Sequence, residues 1–198
     1  MTLLDGKALS AEMQEQMKQE VVELTTNTGR APGLTVLLVG DDEASQVYVG
    51  SKDRMARNLG LRSEVVRLPA DASERQVMDV VEQINQDHQV DGLLIQLPLP
   101  RHLDSWKILE RIDPGKDVDG FLPRTQGNVL LDRSPVAPCT PAGVMRLLDR
   151  HGIDPTGKRA VVLGRSFIVG KPMAAMLLNR HATVTICHTR TRELAEET

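Results

Sequence analysis

Alternation of aliphatic strands with helices predicts an α/β chain built on parallel sheets. Three observations carry that expectation. "LTVLLVG" (34–40), "DGLLIQLP" (91–98) and "RAVVLG" (159–164) are near-continuous aliphatic runs, as expected of strands buried on both faces. Helical segments lie between successive strands, which requires parallel pairing with right-handed crossovers. Aromatics are scarce, with one Trp, one Tyr and two Phe in 198 residues, so the core must be aliphatic.

The elements follow in order. Residues 8–27 read as a helix, with Met13, Met17, Val21 and Leu24 on one stripe and Gly29 as its stop. The first strand is 34–40. A helix over 45–60 follows, with Ser45 as cap and Gly60 as stop. "LRSEVVRLP" (61–69) is the second strand. Ser73 and Gln76 form a capping box for a helix that buries Val77, Val80, Val81 and Ile84. The third strand is 91–98, and a short helix covers about 104–111. The stretch 112–139, dense in Pro, Gly and Asp, reads as loop. Thr140 and Pro141 open a helix that Gly152 stops and that joins two domains. Strand 159–164, helix 170–180 and strand 182–188 make a further βαβ unit, and "TRTRELAEET" starts another helix. The expected architecture is an N-terminal three-layer parallel-sheet domain over 1–140. The start of a nucleotide-binding domain occupies 141–198, with a cleft between the two. Two strands are few for an independent sheet, so the second domain is expected to be a fragment or to be completed elsewhere.

Bulk properties exclude several classes. A net charge of −3 leaves no basic footprint for nucleic acid. No apolar run is long enough for a membrane span, and the N-terminus does not read as a secretory signal. Cys139 and Cys187 lack metal-type spacing and read as reduced thiols of a cytosolic protein. The five histidines form no metal motif; His151 and His181 fall near helix ends, where a structural role is expected. Asp113, Asp117 and Asp119 lack a matching ligand set, so no metal is expected.

"VVLGRSFIVGKP" (161–172) resembles a dinucleotide turn with a part replaced. The G-x-G-x-x-G pattern has Ser166 for its second glycine and Val169 at its third, with Gly170 one residue late. Gly164 ends a strand, and the helix beyond offers free N–H groups suited to phosphate. Unphosphorylated NAD calls for an acid about 20 residues on, to accept from the ribose hydroxyl. "CHTRTR" (187–192) has none; it offers His188, Thr189 and Arg190. With Arg165 beside it, that donor-rich strand end selects the 2′-phosphate of NADP. A solvated helix cap is the alternative for the turn taken alone.

Tyr48 and Lys52, four residues apart, share a helix face. A lysine held against a phenol in a closed cleft could shuttle protons near neutral pH; an exposed lysine is the bland alternative. Gln96 stands where the third strand should end. It is placed either to hydrogen-bond a bound ring or simply to form a turn.

Five motifs in order, "YVGSKDRMARNLG" (48–60), "DGLLIQLPLP" (91–100), "DPGKDVDGF" (113–121), "PCTPAGV" (138–144) and "GRSFIVGKP" (164–172), resemble the bifunctional methylenetetrahydrofolate dehydrogenase/cyclohydrolase family. The resemblance implies a Rossmann-like NADP domain and oxidation of 5,10-methylenetetrahydrofolate to the methenyl form, then hydrolysis to 10-formyltetrahydrofolate. It also implies a homodimer in one-carbon metabolism, serving purine, methionine and histidine biosynthesis. Residue by residue it implies Lys52 as the key catalytic lysine, tuned by Gln96 and accompanied by Tyr48. Asp117 would hydrogen-bond the pterin, with Ile95 and Leu97 completing the substrate contacts. Gly164, Arg165, Ser166, His188, Thr189 and Arg190 would contact the cofactor. The family chain continues with a further glycine-rich segment. It often has Asn where this sequence has Thr125, which reads as loop variation. Two other readings remain open: a relative that uses NAD without the hydrolase step, and a truncated, inactive folate-binding or dimerisation module.

Overall fold

The structure, a computed structural model, describes residues 3–198. Contacts divide it into two compact units: Ser10–Val118, and Asp119–Thr198 together with the segment up to Leu9.

The first unit holds a parallel three-stranded sheet in the order β2-β1-β3, built from β1 (Gly33–Val39), β2 (Arg62–Leu68) and β3 (Gly92–Ile95). Leu37 of β1 pairs with Val66 on one side and Ile95 on the other, as the central strand of this order must. Strand alternation sends Val36 and Leu38 to one face, where they pack with Leu94 and Val49. Val49 comes from α2 (Glu43–Asn58). Each of these four side chains is buried, and each full burial contributes about 1.5–3 kcal/mol. α3 (Glu74–Gln86) buries Val77, Val81 and Ile84, while Val80 is only half-buried. Its Ser73–Gln76 capping box is present in both directions. Arg30 forks onto Asp91 at 2.6 and 2.7 Å, and the Asp91 carboxylate also accepts the Gly33 N–H at 2.8 Å. That clamp ties the start of β1 to the start of β3. α4 (Ser105–Leu109), capped by Asp104, carries the exposed Trp106.

The second unit pairs β4 (Arg159–Leu163) with β5 (Thr183–Cys187) in parallel through α7 (Gly170–Asn179). Met145 of α6 (Cys139–Arg150) packs with Val162, Met173, Ala174, Leu177 and Ala182. α8 (Leu194–Glu197) follows. α5 (Pro123–Leu130) packs against α7, and the Asn179 amide donates to the Val129 carbonyl at 2.7 Å.

Several expectations are corrected. α1 runs Gly6–Thr28 as a helix, but of its stripe only Val21 is buried, and Leu24 is 49% exposed. Ser45 does not cap α2. The helix starts two residues earlier, and the Asp42 carboxylate accepts the Ser45 N–H at 2.8 Å. β3 ends at Ile95: Gln96 donates the last sheet bond to the Leu37 carbonyl, then Pro98 follows a cis peptide and has no N–H to give. α6 begins at Cys139, so Pro141 lies in its first turn, where a missing N–H costs nothing. The stretch 112–139 is not all loop, since it contains α5, and Thr125 is therefore helical.

Candidate functional site

β1 and α2 place Lys52 above the end of β3. Lys52 lies one turn beyond Tyr48 on α2 and is half-buried. Its Nζ donates to Gln96 Oε1 at 3.1 Å. The other end of that amide is held too, because Gln96 Nε2 donates to the Leu97 carbonyl at 2.6 Å. The two bonds together fix the amide with its oxygen toward the lysine. One Lys52 N–H is occupied by Gln96, which leaves the ammonium two donors for a ligand. Tyr48 is 63% exposed, so the burial expected for the pair reaches the lysine and not the phenol. Ile95 is buried, and Leu97 is half-buried.

Asp117 is buried and bridges in parallel to Leu93 of β3. Gln96 lies three residue steps beyond Leu93, about 10 Å along the chain. Asp117 and the Lys52–Gln96 pair are thus referenced to the same strand. Asp113, by contrast, serves its own turn: its Oδ1 accepts the Gly115 N–H at 2.7 Å.

In the second unit the Gly164 N–H donates to the Cys187 carbonyl at 2.7 Å, which sets the turn beside the end of β5. Gly164 has φ +123°, a conformation that favours glycine. Ser166 Oγ accepts N–H groups from Val169 at 3.1 Å and Gly170 at 3.4 Å, so the serine closes the turn from inside. A Cβ on Gly170 would sit 2.1 Å from the Gly164 carbonyl oxygen. Gly170 therefore supplies the close helix–turn approach of a dinucleotide fingerprint's third glycine, from one position later. Arg165, Thr189 and Arg190 are exposed at this end. His188 Nδ1 accepts the Arg190 N–H at 3.1 Å, which leaves the neutral ring's proton on Nε2.

Three contributors escaped the sequence reading. Thr191 accepts the His188 N–H through its hydroxyl at 2.8 Å and donates its own N–H to the His188 carbonyl, closing the turn that displays Thr189 and Arg190. Phe167 meets Phe121 edge-to-face, ring centroids 5.6 Å apart, and pins the glycine turn to the segment before α5. Lys116 donates to three carbonyls, those of Ile84, Asn85 and Asp87. Spacing around a strand end could have flagged Thr191; nothing local signals the other two.

Comparison with known proteins puts names to both halves. Residues 4–119 match the family model described as tetrahydrofolate dehydrogenase/cyclohydrolase, catalytic domain, and residues 138–198 match its NAD(P)-binding domain. A bifunctional FolD protein of Moorella thermoacetica is 53% identical over 98% of this chain and 69% of its own length. The crystal structure of the Campylobacter jejuni FolD dehydrogenase/cyclohydrolase superposes with a TM-score of 0.97 at 45% identity, covering all of this chain and 70% of that one. The Trypanosoma brucei enzyme, solved with NADP cofactor and inhibitor, gives a TM-score of 0.94 at 37% identity, covering 98% of this chain and 66% of that one. The chain belongs to the tetrahydrofolate dehydrogenase/cyclohydrolase family.

Proposed function

We propose that this chain carries out the family's two reactions. It oxidises 5,10-methylenetetrahydrofolate with NADP⁺, then hydrolyses the methenyl product to 10-formyltetrahydrofolate, with Lys52 as the proton-handling group. The observation that carries the assignment is the Lys52–Gln96 hydrogen bond at the end of β3. NADP⁺, when bound, supplies the hydride acceptor at C4 of its nicotinamide. The turn suits it: backbone approach is open at Gly164, where an added Cβ would meet nothing within 4 Å, and residues 187–192 contain no acid to accept from an unphosphorylated ribose. Arg165, Thr189 and Arg190 would hold the 2′-phosphate, and His188 and Ser166 would shape the loop around it.

In hydrolysis, water adds to the carbon of the methenyl cation and a carbon–nitrogen bond breaks; one of water's two protons leaves to solvent, and the other must reach the departing nitrogen. Lys52 would relay it; the Gln96 bond, which occupies one of its donors and fixes its direction, supports that reading. Tyr48, Ile95 and Leu97 would contact the folate, and Asp117 would accept from the pterin's N–H groups. Hydride transfer requires alignment and little proton chemistry. The two activities therefore separate under mutation. Lys52→Met should abolish methenyl hydrolysis while folate still binds. Undiminished hydrolysis in that variant would remove Lys52 from the mechanism.

We also read the protein as a cytosolic homodimer in one-carbon metabolism, feeding purine, methionine and histidine synthesis. Two free cysteines support the compartment, and the exposed apolar residues Leu163 and Ile186 on β4 and β5 support pairing.

A further inference from the structure

We propose that Lys116 is a positioning residue that sets Asp117 for its ligand through the end of α3. All three ammonium protons of Lys116 are committed, to the Ile84, Asn85 and Asp87 carbonyls at 2.8, 2.7 and 2.8 Å. These carbonyls belong to the last turn of α3 and its cap, where the helix leaves acceptors unmatched and its dipole is negative. No donor of Lys116 is left for a substrate, so any influence on chemistry passes through what it holds.

What it holds is the next residue. The Lys116 carbonyl accepts both the Leu93 N–H and the Val118 N–H, each at 2.9 Å. The second bond closes a three-residue turn with Asp117 at its apex. Val118 lies so close on Gly92 that a Cβ there would meet its Cγ1 at 2.5 Å. Asp117 is thus fixed from three sides: the α3 terminus through the Lys116 side chain, β3 through the Leu93 bond, and Gly92 through Val118. The first of these depends on a side chain alone and can be cut without touching the backbone.

This inference rests on the reading of Asp117 as the pterin contact, and the test separates the two. Steady-state constants for folate substrate and NADP⁺ are measured in Lys116→Met, Asp117→Asn and the double variant. Lys116→Met should raise the folate KM about tenfold and leave the NADP⁺ KM unmoved. The double variant should be no worse for folate than Asp117→Asn alone. A lowered unfolding midpoint with both KM values unmoved would make Lys116 a helix cap only, as would independent, multiplying losses in the double variant. An unchanged folate KM in Asp117→Asn would remove the ligand contact itself and the proposal with it. If Lys116→Met does not fold, Lys116→Gln, which keeps part of the donor set, is judged by the same comparisons.

Discussion

Gly170→Ala tests the replaced fingerprint most directly. The added methyl would lie 2.1 Å from the Gly164 carbonyl oxygen, 2.5 Å from its carbonyl carbon and 2.8 Å from the Arg165 nitrogen. All three are backbone atoms, so no rotamer change relieves the contact. The turn and the start of α7 must separate by about 1 Å to restore ordinary contact, and overpacking of this kind costs about 3 kcal/mol at its upper range. Alanine returns about 1 kcal/mol through helix propensity, so the net loss is about 2 kcal/mol. For a chain this size that lowers the unfolding midpoint by roughly 4–8 °C. The same displacement moves the helix N-terminus away from a bound phosphate and should raise the NADP⁺ KM about tenfold or more. Circular dichroism melts and NADP⁺ titrations read both effects. Gly143→Ala in α6 is the control, because a Cβ there meets nothing within 4 Å and the variant should be neutral or slightly stabilised. An unchanged melt and an unchanged KM in Gly170→Ala would refute the close-approach role.

Two further outcomes are expected. Arg165→Ala should weaken NADP⁺ about tenfold or more while barely affecting NAD⁺, since the loss is of a charge-assisted contact to one phosphate; equal losses in parallel titrations would contradict the 2′-phosphate assignment. Asp91 is held down to about 2, from 3.8, chiefly by the Arg30 guanidinium. A depressed carboxyl stabilises the fold above its unfolded value, and that contribution fades as pH falls from 3.8 through about 2. Because the pair is partly exposed, the contribution is about 1 kcal/mol at most. Denaturant midpoints of the natural protein and Asp91→Asn should therefore differ near neutral pH and converge in acid. A gap that ignores pH would count against the pair.

Most of the framework is legible because it depends on local pattern. Aliphatic runs and capping residues located the five strands found among the described residues, and the Ser73–Gln76 box is where its spacing puts it. α5 escaped because Gly127 and Asn128 are weak helix formers, although Pro123 at its first position was a readable start signal. The exposure of Leu24 escaped for the opposite reason: a stripe's period says which residues share a face, not whether anything covers it. At the site, residue types and strand ends raised Lys52, Gln96 and the Gly164 turn as candidates beside bland alternatives, and the family resemblance chose between them. The role of Gly170 depends on a backbone approach of 2.1 Å that no spacing rule contains. The three-carbonyl seat of Lys116 joins residues about 30 apart in sequence and exists only after folding.

The distribution of aromatic residues has a practical consequence for optical work. Trp106 and Tyr48 both belong to Ser10–Val118, while Asp119–Thr198 has only Phe121 and Phe167. Intrinsic emission excited in the indole band thus originates in the folate half, and the nucleotide half contributes no indole or phenol to a fluorescence trace. A tryptophan introduced at Phe167 would give that half a signal of its own.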